Sequence, residues 1–192
     1  MNRKKAMIAY LKSRRSVTLP FLEGPGPDTA ELSELLEIAT RVPDHGKLTP
    51  WRLVVIAGDQ RAIAGDKLAA LTKLRDPQVS DEMLDVERNR FLPAPLTIGV
   101  ISAAQIHAKV PVIEQQLSAA CVCFNLVHGA HALGFAAQWV TRWFAFDQEA
   151  AAIFGAKPGE FFAGFVHIGT PTIVPPERER PNVNDVVEYW QG

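Results

Sequence analysis

Cysteine is scarce in this sequence: 192 residues carry only Cys121 and Cys123. A disulfide scaffold is therefore excluded. On a helix these two side chains point about 200° apart, which forbids a bridge between them. Two buried free thiols suit a reducing compartment, so the chain is expected in the cytoplasm. Neither thiol has a flanking base or a helix N-terminus to lower its pKa, and both read as core residues rather than nucleophiles. Charge of one sign is lacking too. Twenty Lys and Arg face 21 Asp and Glu, so no global field draws the chain to nucleic acid or to an anionic membrane. The basic start, with six Lys/Arg and no acid in residues 1–15, lacks the aromatic interleaving of a nucleic-acid surface. There is no long clean hydrophobic run. Only Ala6–Leu11 separates the first basic cluster from Lys12, too short for a signal-peptide core. The apolar stretch Leu117–Val140 contains Asn125, His128, His131 and Gln138, and four polar groups in hydrocarbon would be costly. Missing as well are a Walker loop, G-x-G-x-x-G, G-x-S-x-G and H-E-x-x-H. His128 and His131 stand three apart, but no third ligand comes at a helpful spacing, so they read as packing residues and no metal is expected.

What is present is the composition of a globular domain, 47% hydrophobic and 21% charged. A chain this long buries about 70% of its unfolded surface, and its length favours a single domain over residues 1–192. Met1–Lys12 reads as a helix. Asp28 caps a second, with Glu31 completing a capping box and Leu32, Leu35, Leu36 and Ala39 forming its apolar face. Arg52–Ala57 is a strand apolar on both faces, expected at the centre of a sheet. A helix follows through about Leu74, and Ser80–Phe91 reads as a charged amphipathic helix, a surface arm or lid. Leu96–Ala103 is a second buried strand. A long helix, apolar nearly all round, runs from Pro111 to Leu133 and closes at Gly134. Such a helix needs cover on every side, which a second subunit can supply. Ala136–Thr141 and Phe161–Gly169 are strands, Asp147–Phe154 is a short capped helix, and the tail from Ile173 is extended. The fold class is α+β, a central antiparallel or mixed sheet flanked by helices, in a homodimer.

Two segments carry chemistry. Arg14-Arg15-Ser16 ends the first helix, and two guanidiniums with a hydroxyl make a site for a dianion. Alone, the same cations read equally as partners of the helix dipole. Arg41-Val42-Pro43-Asp44-His45 keeps charge in a rigid loop just before a core strand, where loops tend to carry function. A structural turn capped by Asp44 is the plainer reading.

These segments, with Pro50-Trp51-Arg52, Lys109-Val110-Pro111, Glu114-Gln115, Leu133-Gly134-Phe135 and Ile168-Gly169-Thr170-Pro171, stay in order along almost the whole chain. Together the chain resembles the nitroreductase family of flavoproteins, in its short bacterial branch with an R-x-P-D-H loop. The resemblance implies a homodimer with FMN at the subunit interface. Arg14, Arg15 and Ser16 match the motif that holds the phosphate and the pyrimidine side of the flavin. Arg14 is assigned to the phosphate and Arg15 to the N1–C2 edge of the ring. Arg41 and His45 match positions that reach the flavin from the partner subunit. Trp139, Val140 and Thr141 match a flavin-contacting stretch written W-R-S or W-R-T in relatives; Val140 stands in place of its arginine, and Arg142 follows. Arg178 and Arg180 are candidates for a C-terminal phosphate contact, Arg180 preferred. Lys47 and Thr49 stand where the broader family has Asn and Gln. The implied activity is hydride transfer from NADH or NADPH through flavin N5 to nitroaromatic, quinone or related acceptors, by a ping-pong mechanism with no acid–base residue required. Gly129–Gly134 matches a stretch associated with the nicotinamide nucleotide. The alternative is a flavin-binding sensor or storage protein of the same fold.

Overall fold

A computed structural model describes residues 3–192. Their contacts group residues 16–173 into one compact unit, and residues 3–15 with 174–192 into a second. In chain order the elements are α1 (Arg3–Ser13), β1 (Leu22–Glu23), α2 (Thr29–Ala39), β2 (Trp51–Ala57), α3 (Gln60–Arg75), α4 (Asp81–Arg88), β3 (Leu96–Ser102), α5 (Val112–Ala132), β4 (Ala136–Val140), α6 (Gln148–Ile153) and β5 (Phe161–Pro171). The expected elements are all found. The first helix begins within the described residues at Arg3, so Met1 and its neighbour lie outside them.

Within the larger unit the strands run in the order β4-β5-β3-β2, and β1 pairs with the last residues of β5. Every pairing is antiparallel. β3 is the central buried strand, with all seven residues inside. β2, expected at the centre, pairs only with β3 and forms an edge among the described residues. Its apolar faces have another cause: Trp51 and Leu53 face one core cluster, and Val54 and Ile56 the other. Apolar residues on both faces report the layers above and below a strand, not its lateral neighbours.

On one face α5 packs on the sheet and against α2. Leu35, Ala39, Val122, Cys123 and Leu126 form its buried seam. α2 begins as expected, because the Asp28 carboxylate accepts from Ala30 and Glu31 N–H and Glu31 returns the bond to Asp28 N–H. α5 ends where Gly134 takes a positive φ of 90°. The other face holds an aromatic cluster in which Phe162 and Phe165 stack with centroids 4.4 Å apart.

The arm or lid expected over Ser80–Phe91 is overturned. α4 packs on α3, buries Leu84 and Glu87, and delivers Phe91 into the aromatic cluster at 0% exposure. Its charges disguised this, yet they are internally paired. Arg90 donates two bonds to Glu87, and Trp143 Nε1 donates to the same carboxylate.

Burial also corrects the thiols. Cys123 is buried, and desolvation pushes its thiol well above the usual range, whereas Cys121 is only half-buried. Both are free. No helix among the described residues is long and apolar enough to cross a membrane.

Candidate functional site

The candidate residues fall into three groups. The first lies wholly in the smaller unit. Arg15 Nη1 donates to the Pro176 carbonyl and stands 3.4 Å from Glu177 Oε1. Arg180 Nη2 reaches the same oxygen at 3.5 Å. Two of the predicted flavin-binding arginines, Arg15 and Arg180, thus converge on one carboxylate, across 161 residues of separation for the Arg15–Pro176 bond. Glu177 is also held by the Arg178 N–H, which with the neighbouring guanidiniums keeps its carboxyl below the ordinary range. Arg14 differs. Its Nη1 is buried and has no hydrogen-bond partner. A buried charged donor without an acceptor costs free energy until an acceptor completes it.

The second group sits at β4. Val17 N–H donates to the Ala137 carbonyl at 3.4 Å, and Leu19 N–H to the Gln138 side chain at 2.6 Å. This lays the chain just after Ser16 along the strand that ends in Trp139 and Val140, with Thr141 next. Trp139 Nε1 donates to the Ala163 carbonyl. The indole occupies space that any Cβ at Gly164 would enter, so glycine there lets the ring lie against β5.

Beside this strand end is a cavity of about 270 Å³ whose lining includes Leu19, Asn89, Arg90, Arg142 and His167. The Arg142 carbonyl accepts from Ala145 N–H, and its side chain makes no hydrogen bond or ion pair among the described residues. His167 is fully buried, and its Nδ1 lies 2.7 Å from Thr97 Oγ1. Burial, reinforced by the Arg142 charge, lowers its pKa to about 4. Sequence reasoning did not single out His167. The available signal was a polar imidazole inside the otherwise apolar run Phe161–Gly169.

The third group is the loop after α2. Asp44 is its structural keystone: its carboxylate accepts from Leu48 N–H at 3.0 Å and Thr49 N–H at 2.9 Å. α5 fixes the rest. Ser118 Oγ donates to the Pro43 carbonyl, Asn125 donates to the Arg41 carbonyl, and His45 Nδ1 lies 2.7 Å from Glu114 Oε2. The Arg41 and His45 side chains stay exposed. No hydrogen bond joins this loop to the β4 group among the described residues. The same helix leaves Ile113, Leu117 and Phe124 exposed at 58%, 58% and 51%. His128 packs edge-on to Phe124 with ring centroids 4.2 Å apart. Among the described residues no group of three His, Cys, Asp or Glu is placed to hold a metal.

The chain belongs to the nitroreductase family, whose family model matches residues 11–170. It is 31% identical over 168 residues to YdjA of Escherichia coli (strain K12), named for NAD(P)H nitroreductase activity, covering 86% of this chain and 88% of that one. The solved nitroreductase-like protein of Bacillus cereus superposes with a TM-score of 0.80 at 23% identity, covering 96% of each chain. A nitroreductase of Bacteroides fragilis solved with bound FMN gives 0.68 at 17% identity over 100% of both chains.

Proposed function

We propose that this chain is an FMN-dependent NAD(P)H oxidoreductase that reduces nitroaromatic, quinone or related acceptors by a ping-pong mechanism. The observation that carries the reading is the buried, partnerless Arg14 Nη1, one residue from the Arg15–Glu177–Arg180 cluster. A phosphate dianion supplies the acceptor that nitrogen lacks. The names of the Escherichia coli and Bacteroides fragilis relatives support the same cofactor and donor. Arg14 and Arg180 hold the phosphate and Arg15 the N1–C2 edge of the ring, with Ser16 next in sequence. Trp139, Val140 and Thr141 are kept as the flavin-contacting stretch that the resemblance implies. When bound, FMN supplies two-electron chemistry, taking hydride from NAD(P)H and giving it to the acceptor. The protein binds and orients, so no acid–base pair is needed.

Arg41 and His45 are held by α5 on a different support from the β4 group, and that helix carries an exposed apolar stripe. Both facts support a homodimer in which each loop completes the partner's site. The free thiols support a reducing, cytoplasmic setting. The test is an absorbance spectrum with light scattering: a yellow dimer with one FMN per chain, bleached by NADH or NADPH and reoxidised by a nitroarene. A colourless protein that refuses added FMN overturns the cofactor, and a flavin-loaded monomer overturns the assembly. A flavin that never bleaches turns the reading to the sensor or storage alternative.

Glu177 adds a quantitative expectation. Its carboxylate takes up the Arg180 charge that a phosphate would use and repels a dianion beside it. Glu177→Gln should tighten FMN by about two- to fivefold, the scale of exposed ion pairs. Riboflavin, which has no phosphate, should bind both proteins equally. Fluorescence titration of the two flavins measures this, and equal FMN affinity for both proteins refutes it.

A further inference from the structure

A second cavity, of about 310 Å³, lies where β2 begins and β3 ends, inside the larger unit. Its walls are fixed before any ligand arrives. The buried Gln115 amide donates to the Gln105 and Val110 carbonyls and accepts from Gln105 N–H, which pins the loop after β3. His107 Nδ1 accepts from Lys109 N–H at 3.2 Å and Val110 N–H at 3.1 Å. A neutral imidazole that accepts at Nδ1 carries its proton on Nε2, so the ring offers a donor there. Thr49, on the rim, is held by Asp44 at a positive φ of 47°, a conformation rare for a β-branched residue. Such local strain concentrates where a site is being shaped.

The lining is short of acceptors. Arg52 Nη2 is spent on the Gly155 carbonyl and on Glu160, while its Nε is buried with no partner. Glu160 is likewise spent, because it also accepts from Lys157 N–H. These two charges cancel. Lys157 then remains as a cation whose ammonium has no partner among the described residues. Leu48 and Pro50 supply apolar wall, while Ile106 stands 97% exposed at the rim. One unbalanced positive charge and the His107 N–H donor beside an apolar wall select a small organic anion. The volume is at the low end for ligand pockets, which run from about 300 Å³ upward, and suits a single ring rather than a dinucleotide.

We propose that this cavity is a binding site for small organic carboxylates, with Lys157 as counter-charge and His107 Nε2–H as donor. It stands independently of the flavin reading. Calorimetric titration of benzoate, with benzamide as the neutral isostere, tests it on the protein as purified, with and without added FMN. Benzoate is expected to bind at low millimolar concentration or better in both preparations. Lys157→Met should weaken it about tenfold, the loss of one charge-assisted hydrogen bond, and Lys157→Arg should restore most of the affinity. Benzamide should bind more weakly and ignore both Lys157 substitutions. Lys157 is exposed and outside every helix and strand, so its replacement leaves the fold intact. No benzoate binding, equal affinity in wild type and Lys157→Met, or binding only with flavin present overturns the proposal.

Discussion

Arg14→Ala is expected to weaken FMN binding by roughly 1.5–3 kcal/mol, about ten- to more than a hundredfold, because a charged donor to phosphate disappears. The argument begins in the flavin-free chain. Arg14 Nη1 is buried without a hydrogen-bond partner, so the protein holds an unsatisfied donor whose cost a phosphate oxygen removes. Removing the guanidinium relieves that cost and forfeits the gain. Apo Arg14→Ala should accordingly be no less stable than wild type while its affinity for FMN collapses. Riboflavin separates the phosphate contribution from any general damage: its affinity should change little. Titration of both flavins, with urea unfolding of the apo proteins, reads all three quantities. Equal FMN affinity in wild type and variant removes Arg14 from the phosphate site.

Acid sensitivity should come from His167. Burial, with help from Arg142, lowers its pKa from 6.5 to about 4. In the unfolded chain the ring takes a proton near its ordinary value, whereas in the folded chain it stays neutral until much lower pH. The unfolded state therefore binds more protons between pH 6.5 and 4, and stability falls as pH falls through that window. The loss approaches about 3 kcal/mol at the lower end, at about 1.4 kcal/mol per pH unit. Above pH 6.5 the histidine contributes no slope. His167→Gln keeps a hydrogen-bonding group opposite Thr97 but cannot titrate. Urea unfolding at pH 7, 5.5 and 4.5 should show the wild type losing stability faster than the variant. Carboxylates titrate in both proteins and cancel in the difference. Parallel pH profiles remove the buried neutral histidine from the account.

The sequence revealed what is local and hid what is lateral. Asp28 and Glu31 announced their helix, and Gly134 announced the end of α5, because caps and positive φ act over a few residues. β2 was expected at the sheet centre because its side chains report the layers on its two faces. Its hydrogen-bond neighbours left no mark in that pattern. α4 was misread because Glu87, Arg88 and Arg90 look like a solvated surface, although Glu87 is buried in a bonded trio with Arg90 and Trp143. For the candidate site, the arginine motif and the Asp44 loop were legible as compact runs. Glu177 between Arg15 and Arg180 was not, nor was Thr97 against His167, 70 residues away. Such pairings exist only once the chain has folded.

α5 has no spare face. One side is sealed into the sheet and α2, its polar residues Gln115, Ser118 and Asn125 hold two loops, and Ile113, Leu117 and Phe124 form the outward apolar stripe. A substitution almost anywhere along it meets a structural duty. Random mutagenesis should therefore yield fewer tolerated changes in this helix than in α3, where Arg61, Lys73 and Arg75 are the outer residues bonded beyond the helix. Laboratory evolution of this protein would find its freedom at solvent-facing positions of α3 rather than in α5 or the loops that it holds.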